Sequence, residues 1–305
     1  MDSSALTGSE RLQIWITGCG GFLGKRLTQH LAEQGHSIVG LSRRNCASAD
    51  RSVVIDLAAP DACSTLKDLI RETGRPDVVI HAAAKQPGFG KLSEFIDSNV
   101  GSTSNLLEAL EIYPPRQIIY TSTLSVYGRP GSLPVKETSP AGGTLPYGAT
   151  KRWAEQLFEA FQHRSGIVVL RLPSLFGLGQ ADSFIDGLAR SAKRDDPIEL
   201  FSRGTLIRDV LHVNDVVTAI DTCMRRPPNA KFSLLNLGCG QAIRTIDYAR
   251  QLVDALESDS DIVPVDRQSS LFDLYADITE ARRQIAFEPM SLAESMKVYA
   301  DELRA

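Results

Sequence analysis

The stretch from Thr17 to Gly24, Thr-Gly-Cys-Gly-Gly-Phe-Leu-Gly, follows an apolar run that starts at Leu12 and opens an amphipathic segment. Its glycines have the spacing Gly18-x-x-Gly21-x-x-Gly24. A glycine-rich turn between a strand and a helix lets the backbone approach a pyrophosphate, and the free N–H groups at the helix start attract an anion. The spacing alone also fits a merely tight turn. Because further strand-like runs follow, the stretch predicts the first βα unit of a dinucleotide-binding sheet.

Short apolar runs alternate with helix-length amphipathic segments up to about residue 172, which predicts a parallel sheet covered by helices. The strands expected after the first span 38–41, 53–56, 78–81, 118–122 and 167–172, and the expected helices span 22–34, 92–112 and 147–163. We expect an α/β fold with a Rossmann-type doubly wound parallel sheet over residues 11–172. Residues 173–305 are expected to form a smaller, interleaved C-terminal α/β substrate region, and residues 1–10 a flexible tail.

Composition narrows the class of function. The chain has 305 residues, 43% hydrophobic, with a formal net charge of −4, which gives no electrostatic reason to expect nucleic acid or an anionic membrane as a partner. The apolar runs are too short to span a bilayer, and the first ten residues resemble neither a signal peptide nor an anchor. The five cysteines are scattered without a C-x-x-C pair, and the five histidines lack metal-ligand spacing. We therefore expect a cytoplasmic protein with reduced thiols and no metal site.

A second motif, Pro-Tyr-Gly-Ala-Thr-Lys, carries Tyr147 and Lys151 far downstream of the glycine run. Four residues apart on a helix, the two side chains share one face. A nearby ammonium favours the phenolate and brings a phenol whose ordinary pKa is about 10 closer to neutrality. The pair therefore predicts proton transfer by Tyr147 while a hydride moves.

The residue that ends the second strand decides which dinucleotide fits. A carboxylate there binds the ribose 2′-hydroxyl of NAD, whereas a basic residue accommodates the 2′-phosphate of NADP. The chain has Ser42-Arg43-Arg44 at this point, so we expect NADP(H) to be preferred, with NAD as the alternative. The other interpretation is a solvated basic turn. At the end of the third strand, Asp56-Leu57 would flank the adenine, or Asp56 would cap a helix.

The glycine spacing and the Tyr-x-x-x-Lys pair together resemble the short-chain dehydrogenase/reductase superfamily. The chain is similar to its extended branch, the nucleotide-sugar epimerases, dehydratases and reductases, from about residue 12 to the segment 277–289. The further matching motifs are His81-Ala-Ala-Ala84, Tyr120-Thr-Ser-Thr-Leu-Ser-Val-Tyr-Gly128, Arg171-Leu-Pro-Ser-Leu-Phe-Gly177, Arg208-Asp-Val-Leu-His-Val-Asn-Asp215 and Asn236-Leu-Gly238.

The resemblance implies three catalytic residues: Thr123 to hydrogen-bond the sugar oxygen at the reacting carbon, Tyr147 as general acid/base, and Lys151 to bind the nicotinamide ribose and lower the tyrosine's pKa. Motif and position together imply the cofactor-binding residues Gly18, Gly21, Phe22, Leu23, Gly24, Arg43, Arg44, Asp56, Leu57, Ala82, Ala83, Ala84, Asn99, Thr121, Tyr147, Lys151 and Pro173. The implied substrate-binding residues are Thr123, Ser174, Arg208 and Arg267. The two arginines would bind a diphosphate, and surface ion pairs are their alternative role.

Relatives that remove water across C5–C6 carry an Asp-Glu pair directly after the catalytic Thr, where this chain has Leu124-Ser125, so 4,6-dehydration is not expected. Reductases that also epimerise at C3 and C5 use a Cys–His pair, but Cys19 and Cys239 lie in glycine turns. Two reactions remain, reduction of a 4-keto-(deoxy)sugar by dissociable NADPH and 4-epimerisation with tightly held NAD. The arginines after the second strand favour the reductase, with the epimerase as alternative. A non-catalytic NADP-sensing protein is a remote alternative, because such members usually lose the Tyr or the Lys.

The expected substrate is a nucleotide-diphosphate sugar, and neither nucleic acid nor a membrane is an expected partner. Many relatives dimerise through the long helix and the Tyr-Lys helix, so we expect a homodimer. The apolar residues available for that contact, which core packing explains equally well, are Leu106, Leu107, Leu110, Trp153 and Phe158.

Overall fold

The structure is a computed structural model that describes residues 11–88, 90–181, 183–267 and 269–305. The expected tail, residues 1–10, lies outside the described residues. Contacts divide the chain into two units. The first contains the chain up to Gly128, Ala141–Arg171 and Val217–Leu235, and the second contains Arg129–Pro140, Leu172–Val216 and Asn236–Ala305. The predicted division near residue 172 lies at one of the points where the chain passes between these units.

The first unit is built on a seven-stranded sheet. Its strands are β1 Gln13–Thr17, β2 Ser37–Ser42, β3 Arg51–Val54, β4 Val78–His81, β5 Gln117–Thr123, β6 Gly166–Leu172 and β10 Phe232–Asn236. They lie in the order β10-β6-β5-β4-β1-β2-β3, and the pairs from β3 to β5 are parallel, with Ile14 opposite both Ile38 and Val78. Strands β4 and β5 are buried along their whole length, as expected for a parallel sheet covered on both faces. The order is that of the Rossmann fold, so the predicted fold class is confirmed.

Helices connect these strands. They are α1 Phe22–Glu33, α2 Ala62–Thr73, α3 Leu92–Phe95, α4 Ser102–Leu110, α5 Pro146–Phe161 and α7 Val213–Arg225. Gly35 follows α1 with φ of 84°, the left-handed conformation that suits glycine just beyond a helix. Helix α2 was not predicted. The continuous helix predicted over 92–112 is instead α3, a π-helical segment over Ile96–Gly101, and α4.

The apolar core of the first unit contains Trp15, Ile118 and Tyr120 from the sheet together with residues from its helices. Four of the five residues predicted as dimer contacts belong to this core and are buried, namely Leu106, Leu107, Leu110 and Phe158. The amphipathic period of a helix marks its apolar face but does not distinguish a core from an interface. Only Trp153, which is 46% exposed, remains available for a contact with a second copy.

The second unit has its own core. Its strands are β7 Ser174–Phe176, β8 Ile198–Leu200, β9 Val210–His212 and β11 Ile262–Pro264, and its helices are α6 Phe184–Ala192, α8 Thr245–Leu256, α9 Thr279–Ile285 and α10 Leu292–Arg304. The strands form two parallel pairs, β7 with β9 and β8 with β11. Ile185, Tyr248 and Met296 are completely or almost completely buried in this core.

Across the described residues, every helix falls short of the length and apolarity needed to cross a bilayer. All five cysteines are free thiols. Within the same part of the chain, no three His, Cys, Asp or Glu side chains group in a way that could hold a metal ion.

Candidate active site

The glycine run forms the turn between β1 and α1. Gly18 has φ of 70°, and a Cβ there would lie 2.8 Å from the backbone nitrogen of Ala83, so only glycine fits between this turn and the residues after β4. A Cβ on Gly24 would lie 2.1 Å from the Gly18 carbonyl oxygen, which shows how closely α1 approaches the turn. Among the described residues, no side chain caps the N-terminus of α1 at Phe22. Its first N–H groups are therefore free for an anion, and the turn fits a dinucleotide pyrophosphate.

Buried polar groups hold the end of β4 beside this turn. The Thr17 hydroxyl lies 2.8 Å from His81 Nδ1, and His81 Nε2 lies 3.1 Å from the Thr103 hydroxyl. Thr17 also accepts a hydrogen bond of 3.1 Å from the backbone N–H of Ala83. Burial, reinforced by the nearby Lys151 ammonium, lowers the pKa of His81 to about 3, so the ring is neutral. The segment Ala82–Ala84 is thereby fixed against the glycine turn.

Asn99 lies in the π-helical segment and is buried. Its Oδ1 accepts a hydrogen bond of 2.8 Å from the backbone N–H of Lys85, and its Nδ2 donates one of 2.9 Å to the Thr150 hydroxyl. Thr150 lies inside the Tyr-Gly-Ala-Thr-Lys motif. Asn99 therefore connects the residues after Ala84 to helix α5, and the π-helical turn places its amide between them.

Thr123 ends β5 and begins a 3-10 turn over Leu124–Tyr127. Its hydroxyl accepts a hydrogen bond of 3.1 Å from the backbone N–H of Ser125 and donates one of 3.2 Å to the Ser125 hydroxyl. A Cβ on Gly148 would lie 2.4 Å from the Ser125 carbonyl oxygen. This close backbone approach brings Tyr147 beside Thr123. Sequence reasoning missed Gly148, since motif spacing does not reveal which glycine lets two backbones touch.

Tyr147 lies on the first turn of α5 and is half-buried. Loss of water around its hydroxyl raises the pKa of the phenol to about 12, and a hydrogen bond with Thr123 opposes this rise. Lys151 is not among the groups that lower this pKa, so the predicted effect of Lys151 on Tyr147 is not observed. Two helical positions share a face, but the separation of their charged atoms depends on where each side chain finds a partner.

Lys151 finds its partners on β5. Its Nζ donates a hydrogen bond of 2.6 Å to the Thr121 carbonyl oxygen and lies 4.2 Å from the centroid of the Tyr120 ring. Burial lowers the pKa of the ammonium to about 7, and the Glu155 carboxylate acts in the opposite direction. The Thr121 hydroxyl donates to the His81 carbonyl oxygen at 3.3 Å, a backbone-satisfying role.

Glu155 and Arg171 form a buried ion pair that sequence reasoning did not single out. Arg171 Nε and Nη2 donate to the two carboxylate oxygens at 2.9 and 2.7 Å. The Ser122 hydroxyl donates to the same carboxylate at 2.5 Å, and Arg171 Nη1 donates to the Tyr127 hydroxyl at 2.9 Å. The signal that could have revealed this pair is Arg171 itself, a charged residue within the otherwise apolar strand β6.

The residues predicted to discriminate the cofactor lie on the surface after β2. Arg43 and Arg44 are exposed, and neither forms an ion pair with a described carboxylate. Ser42 folds this turn, because its hydroxyl donates to the Arg44 carbonyl oxygen. Asp56 is exposed and accepts a hydrogen bond of 3.1 Å from the Ala58 N–H. The helix-cap alternative for Asp56 is wrong, since α2 begins after Asp61. The side chain of Leu57 is buried in the core of the first unit.

The implied substrate-binding residues of the C-terminal region lie in the second unit. Arg208 is mostly buried, which lowers its pKa, and its Nη1 donates to the Phe272 carbonyl oxygen at 3.5 Å. Arg267 is exposed, with its guanidinium 5.0 Å from the centroid of the Phe201 ring. Among the described residues neither arginine pairs with a carboxylate, so the surface ion-pair alternative is not observed. Ser174 is exposed at the start of β7, and Pro173, the last implied cofactor residue, directly precedes it.

Asp209 explains how Arg208 is held. Its buried carboxylate accepts hydrogen bonds of 2.8 Å from the Cys239 N–H and 3.0 Å from the Ala276 N–H. A Cβ on Gly238 would lie 2.2 Å from this carboxylate, so the glycine of the Asn-Leu-Gly motif is required there. Three separate segments of the second unit therefore meet at the residue after Arg208.

Comparison with known proteins identifies relatives over most of the chain. The profile of the NAD dependent epimerase/dehydratase family matches residues 14–238. A UDP-glucose 4-epimerase from Streptomyces lividans is 30% identical, covering 74% of this chain and 75% of its own. A UDP-glucuronate 4-epimerase from Thermodesulfobacterium geofontis is 26% identical, covering 92% and 93%. Among solved structures, MoeE5 in complex with UDP-glucuronic acid and NAD is 26% identical, with a TM-score of 0.83 and coverage of 96% and 99%.

These matches agree with the resemblance to extended short-chain dehydrogenases that the sequence motifs indicated. They confirm the prediction of an NAD(P)-dependent enzyme of that type, and the names of the relatives agree with the predicted sugar-nucleotide class. The chain belongs to the NAD-dependent epimerase/dehydratase family.

Proposed function

We propose that this protein is a 4-epimerase of a UDP-linked sugar that works with bound NAD. The ketoreductase, which was the first expectation from the sequence, gives way to the epimerase alternative. The two relatives described above are both named as UDP-sugar 4-epimerases, and MoeE5 is seen with a UDP-sugar and NAD.

One observation at the site favours epimerisation over dehydration, and the names of the relatives favour it over simple reduction. The turn after Thr123 contributes hydroxyl groups and no carboxylate, so Tyr147 is the proton-transfer group next to the catalytic hydroxyl. Dehydration needs an additional acid and base, whereas epimerisation at C4 removes one hydride and one proton and returns both. A single phenol held beside Thr123 suits that reversible cycle.

When bound, NAD would supply the hydride acceptor for C4 of the sugar and would be the source of the hydride that comes back to the opposite face. Tyr147 takes the proton of the C4 hydroxyl as the hydride leaves and gives it back as the hydride returns. The hydroxyl of Thr123 binds the sugar oxygen, and its hydrogen bond with Tyr147 favours the ionised phenol during the first half-reaction. Lys151 would bind the nicotinamide ribose. Over one cycle atoms and electrons balance, and no external reductant is consumed.

The glycine turn with Gly18, Gly21 and Gly24 would hold the pyrophosphate of the cofactor, and the small segment Ala82–Ala84 would line its path. Arg43 and Arg44 favour a second candidate, a 4-ketoreductase with dissociable NADPH. Their guanidiniums are exposed and suit a 2′-phosphate. The species of nicotinamide that the protein retains therefore separates the two functions.

For the substrate, Arg208 and Arg267 support binding of a diphosphate. Both guanidiniums lack a carboxylate partner among the described residues, and a diphosphate supplies the missing charge. We extend the proposal to a homodimer that uses the exposed face of α5 around Trp153, and to the cytoplasm, where free thiols stay reduced.

The test starts from protein purified without added cofactor. Mass spectrometry of the denatured protein identifies the retained nicotinamide, and NMR follows UDP-glucose and UDP-glucuronate incubated with the same preparation. Retained NAD and conversion to the C4 epimer without added cofactor would support the epimerase. An empty site, together with NADPH consumption by a UDP-4-keto-6-deoxy sugar, would establish the reductase instead. Tyr147→Phe provides the inactive control in both assays.

A further inference from the structure

The first unit buries more positive than negative side-chain charge beside its catalytic residues. Among its described residues, the buried Lys, Arg, Asp and Glu side chains are Lys151, 2% exposed, Arg171, 1% exposed, and Glu155, 0% exposed. Two cations thus share one carboxylate. Burying a charge without a counter-charge is unfavourable, so the single carboxylate stabilises the charged forms of both Lys151 and Arg171.

Glu155 lies one helical turn after Lys151 on the same face of α5. Its carboxylate receives two hydrogen bonds from Arg171, one from Ser122 and one of 2.9 Å from Arg152 Nη1. These bonds join α5 to β6 and to Ser122 of β5, which directly precedes Thr123 at the end of that strand. The same group therefore fixes the helix with Tyr147 and Lys151 against the strand with the catalytic hydroxyl.

Apart from Glu155, the titratable groups that the structure describes around Lys151 carry no negative charge. From β4 comes His81, which is neutral because burial lowers its pKa to about 3. From β5 comes Tyr120, and from α5 Tyr147, both neutral phenols because burial raises their pKa values. The π-helical segment contributes the uncharged amide of Asn99. Arg171 on β6 adds a second positive charge.

We propose that Glu155 is a positioning residue that keeps Lys151 protonated: within the described part of the first unit it is the one buried carboxylate beside two buried cations, and only one of these cations can release its proton. A guanidinium stays protonated in proteins, whereas a buried ammonium readily becomes neutral. If the carboxylate were lost, Lys151 would therefore release its proton, whereas Arg171 would stay protonated. The catalytic consequence rests on the proposed function, but the charge relationship does not.

The geometry also predicts opposite effects for the two members of the ion pair. Glu155→Gln removes the negative charge and should lower the pKa of Lys151. Arg171→Met removes the competing positive charge and should raise it. The double variant Glu155→Gln/Arg171→Met restores the original net charge and should return the pKa towards the wild-type value. A purely structural role would give no such reversal of sign.

We would measure the titration directly by NMR of protein labelled with 13C at the lysine ε-carbon, with Lys151→Met to assign the signal. In the wild type the Lys151 signal should titrate near pH 7. We expect a midpoint lower by about one pH unit or more in Glu155→Gln and higher by about one unit in Arg171→Met. Tyr127→Phe is the matched control, because it removes the hydrogen bond to Arg171 without changing charge and should leave the midpoint in place.

Midpoints that move in the same direction in both single variants, or that stay unchanged, would overturn the proposal. If Glu155→Gln does not fold, Arg171→Met and the double variant still decide, since the first must raise the midpoint and the second must bring it back. The pH dependence of turnover tests the catalytic consequence. The pH at which activity falls on the alkaline side should be lowest in Glu155→Gln and highest in Arg171→Met, as for the Lys151 midpoint. Correct NMR shifts without epimerase activity would reject the proposed function while leaving the role of Glu155 intact.

Discussion

The turn after β5 and the turn after β2 both follow strands of one sheet, but they are held differently. At the end of β5, Thr123 is buried, hydrogen-bonded to Ser125 and close to Tyr147. At the end of β2, Arg43 and Arg44 are exposed and no described carboxylate pairs with either. Groups that transfer a proton need fixed geometry, whereas groups that recognise one ribose substituent can remain solvent-exposed until the ligand binds.

This difference explains why the sequence motifs identified the catalytic groups but did not decide between a reductase and an epimerase. The choice of a reductase depended on the exposed arginines after β2. Their expected partner is the 2′-phosphate of a cofactor, which the sequence does not contain. The buried residues after β5 fit a reductase and an epimerase equally. Four experiments can break or sharpen the contrast between the two turns.

The largest effect is expected at the buried turn. Tyr147→Phe removes the transferable proton and leaves the ring, so turnover should fall by about 10²-fold or more with cofactor binding retained. Steady-state kinetics, with nicotinamide fluorescence to measure cofactor binding, would check this. Near-normal turnover would mean that another group is the acid and would remove the basis of the contrast.

The next effect concerns the stability of the folded protein at acid pH, which depends on the buried His81 at the end of β4, next to β5. The pKa of His81 is about 3 in the folded protein, below its ordinary value of about 6.5, so its contribution is present above pH 6.5 and is lost as the pH falls towards 3. At pH 5 the free energy of unfolding should therefore be lower by about 2 kcal/mol than at neutral pH from this residue alone. Urea unfolding at several pH values measures it.

The matched variants for that experiment are His81→Gln and His163→Gln. The first removes the titrating ring but keeps groups that can bond to Thr17 and Thr103, so the pH dependence should flatten. His163 is exposed, and its replacement should leave the dependence unchanged. A flat profile in the wild type would show that protonated His81 is accommodated and that this region is less rigid than argued.

A smaller effect is expected for Thr123→Val, which removes the hydroxyl that contacts the phenol and that would bind the sugar in the proposed mechanism. Turnover should fall by about 10-fold, the size of one hydrogen bond of about 1.4 kcal/mol. Thr121→Val is the control, because that hydroxyl bonds to the His81 carbonyl and should affect stability more than turnover. Equal losses of turnover in both variants would contradict the distinction between these two threonines.

The smallest effect is expected at the exposed turn. Arg43→Ala should weaken binding of NADPH by about 5-fold to 10-fold, as for the loss of one charge-assisted contact, while NADH binding changes little. Arg51→Ala is a suitable control, since Arg51 is exposed but paired with Glu72 at 2.5 Å. Equal weakening of both cofactors would reject a role in recognising the 2′-phosphate.

Much of the first unit was predictable, since the expected strand over residues 78–81 matches β4 and the first helix begins at Phe22 as expected. Continuous apolar runs and a glycine stop identify such elements without tertiary information. The helix expected over 92–112 was not continuous, because the hydrogen bonds of Asn99 to Lys85 and Thr150 favour a π-helical turn. Those partners are distant in sequence, so no local pattern encodes them.

Among the site residues, Tyr147 and Thr123 were identified by motif, and the structure brings them together. The pKa of Tyr147 was not predictable, since it depends on burial and on Lys151 bonding to the Thr121 carbonyl. The pairing of Glu155 with Arg171 could be suspected from charged residues in apolar settings. The geometry of this pair could not be predicted, because it depends on how α5 packs against β5 and β6.

The amide of Asn99 has a consequence for how this scaffold can diversify. One buried side chain anchors both the start of the loop after Ala84 and the helix that carries the acid–base phenol. Insertions or exchanges further along that loop would thus leave the proton donor in place. If the proposed function holds, we expect natural variation to accumulate there and to alter which sugars are accepted, while the groups proposed to act at C4 stay unchanged.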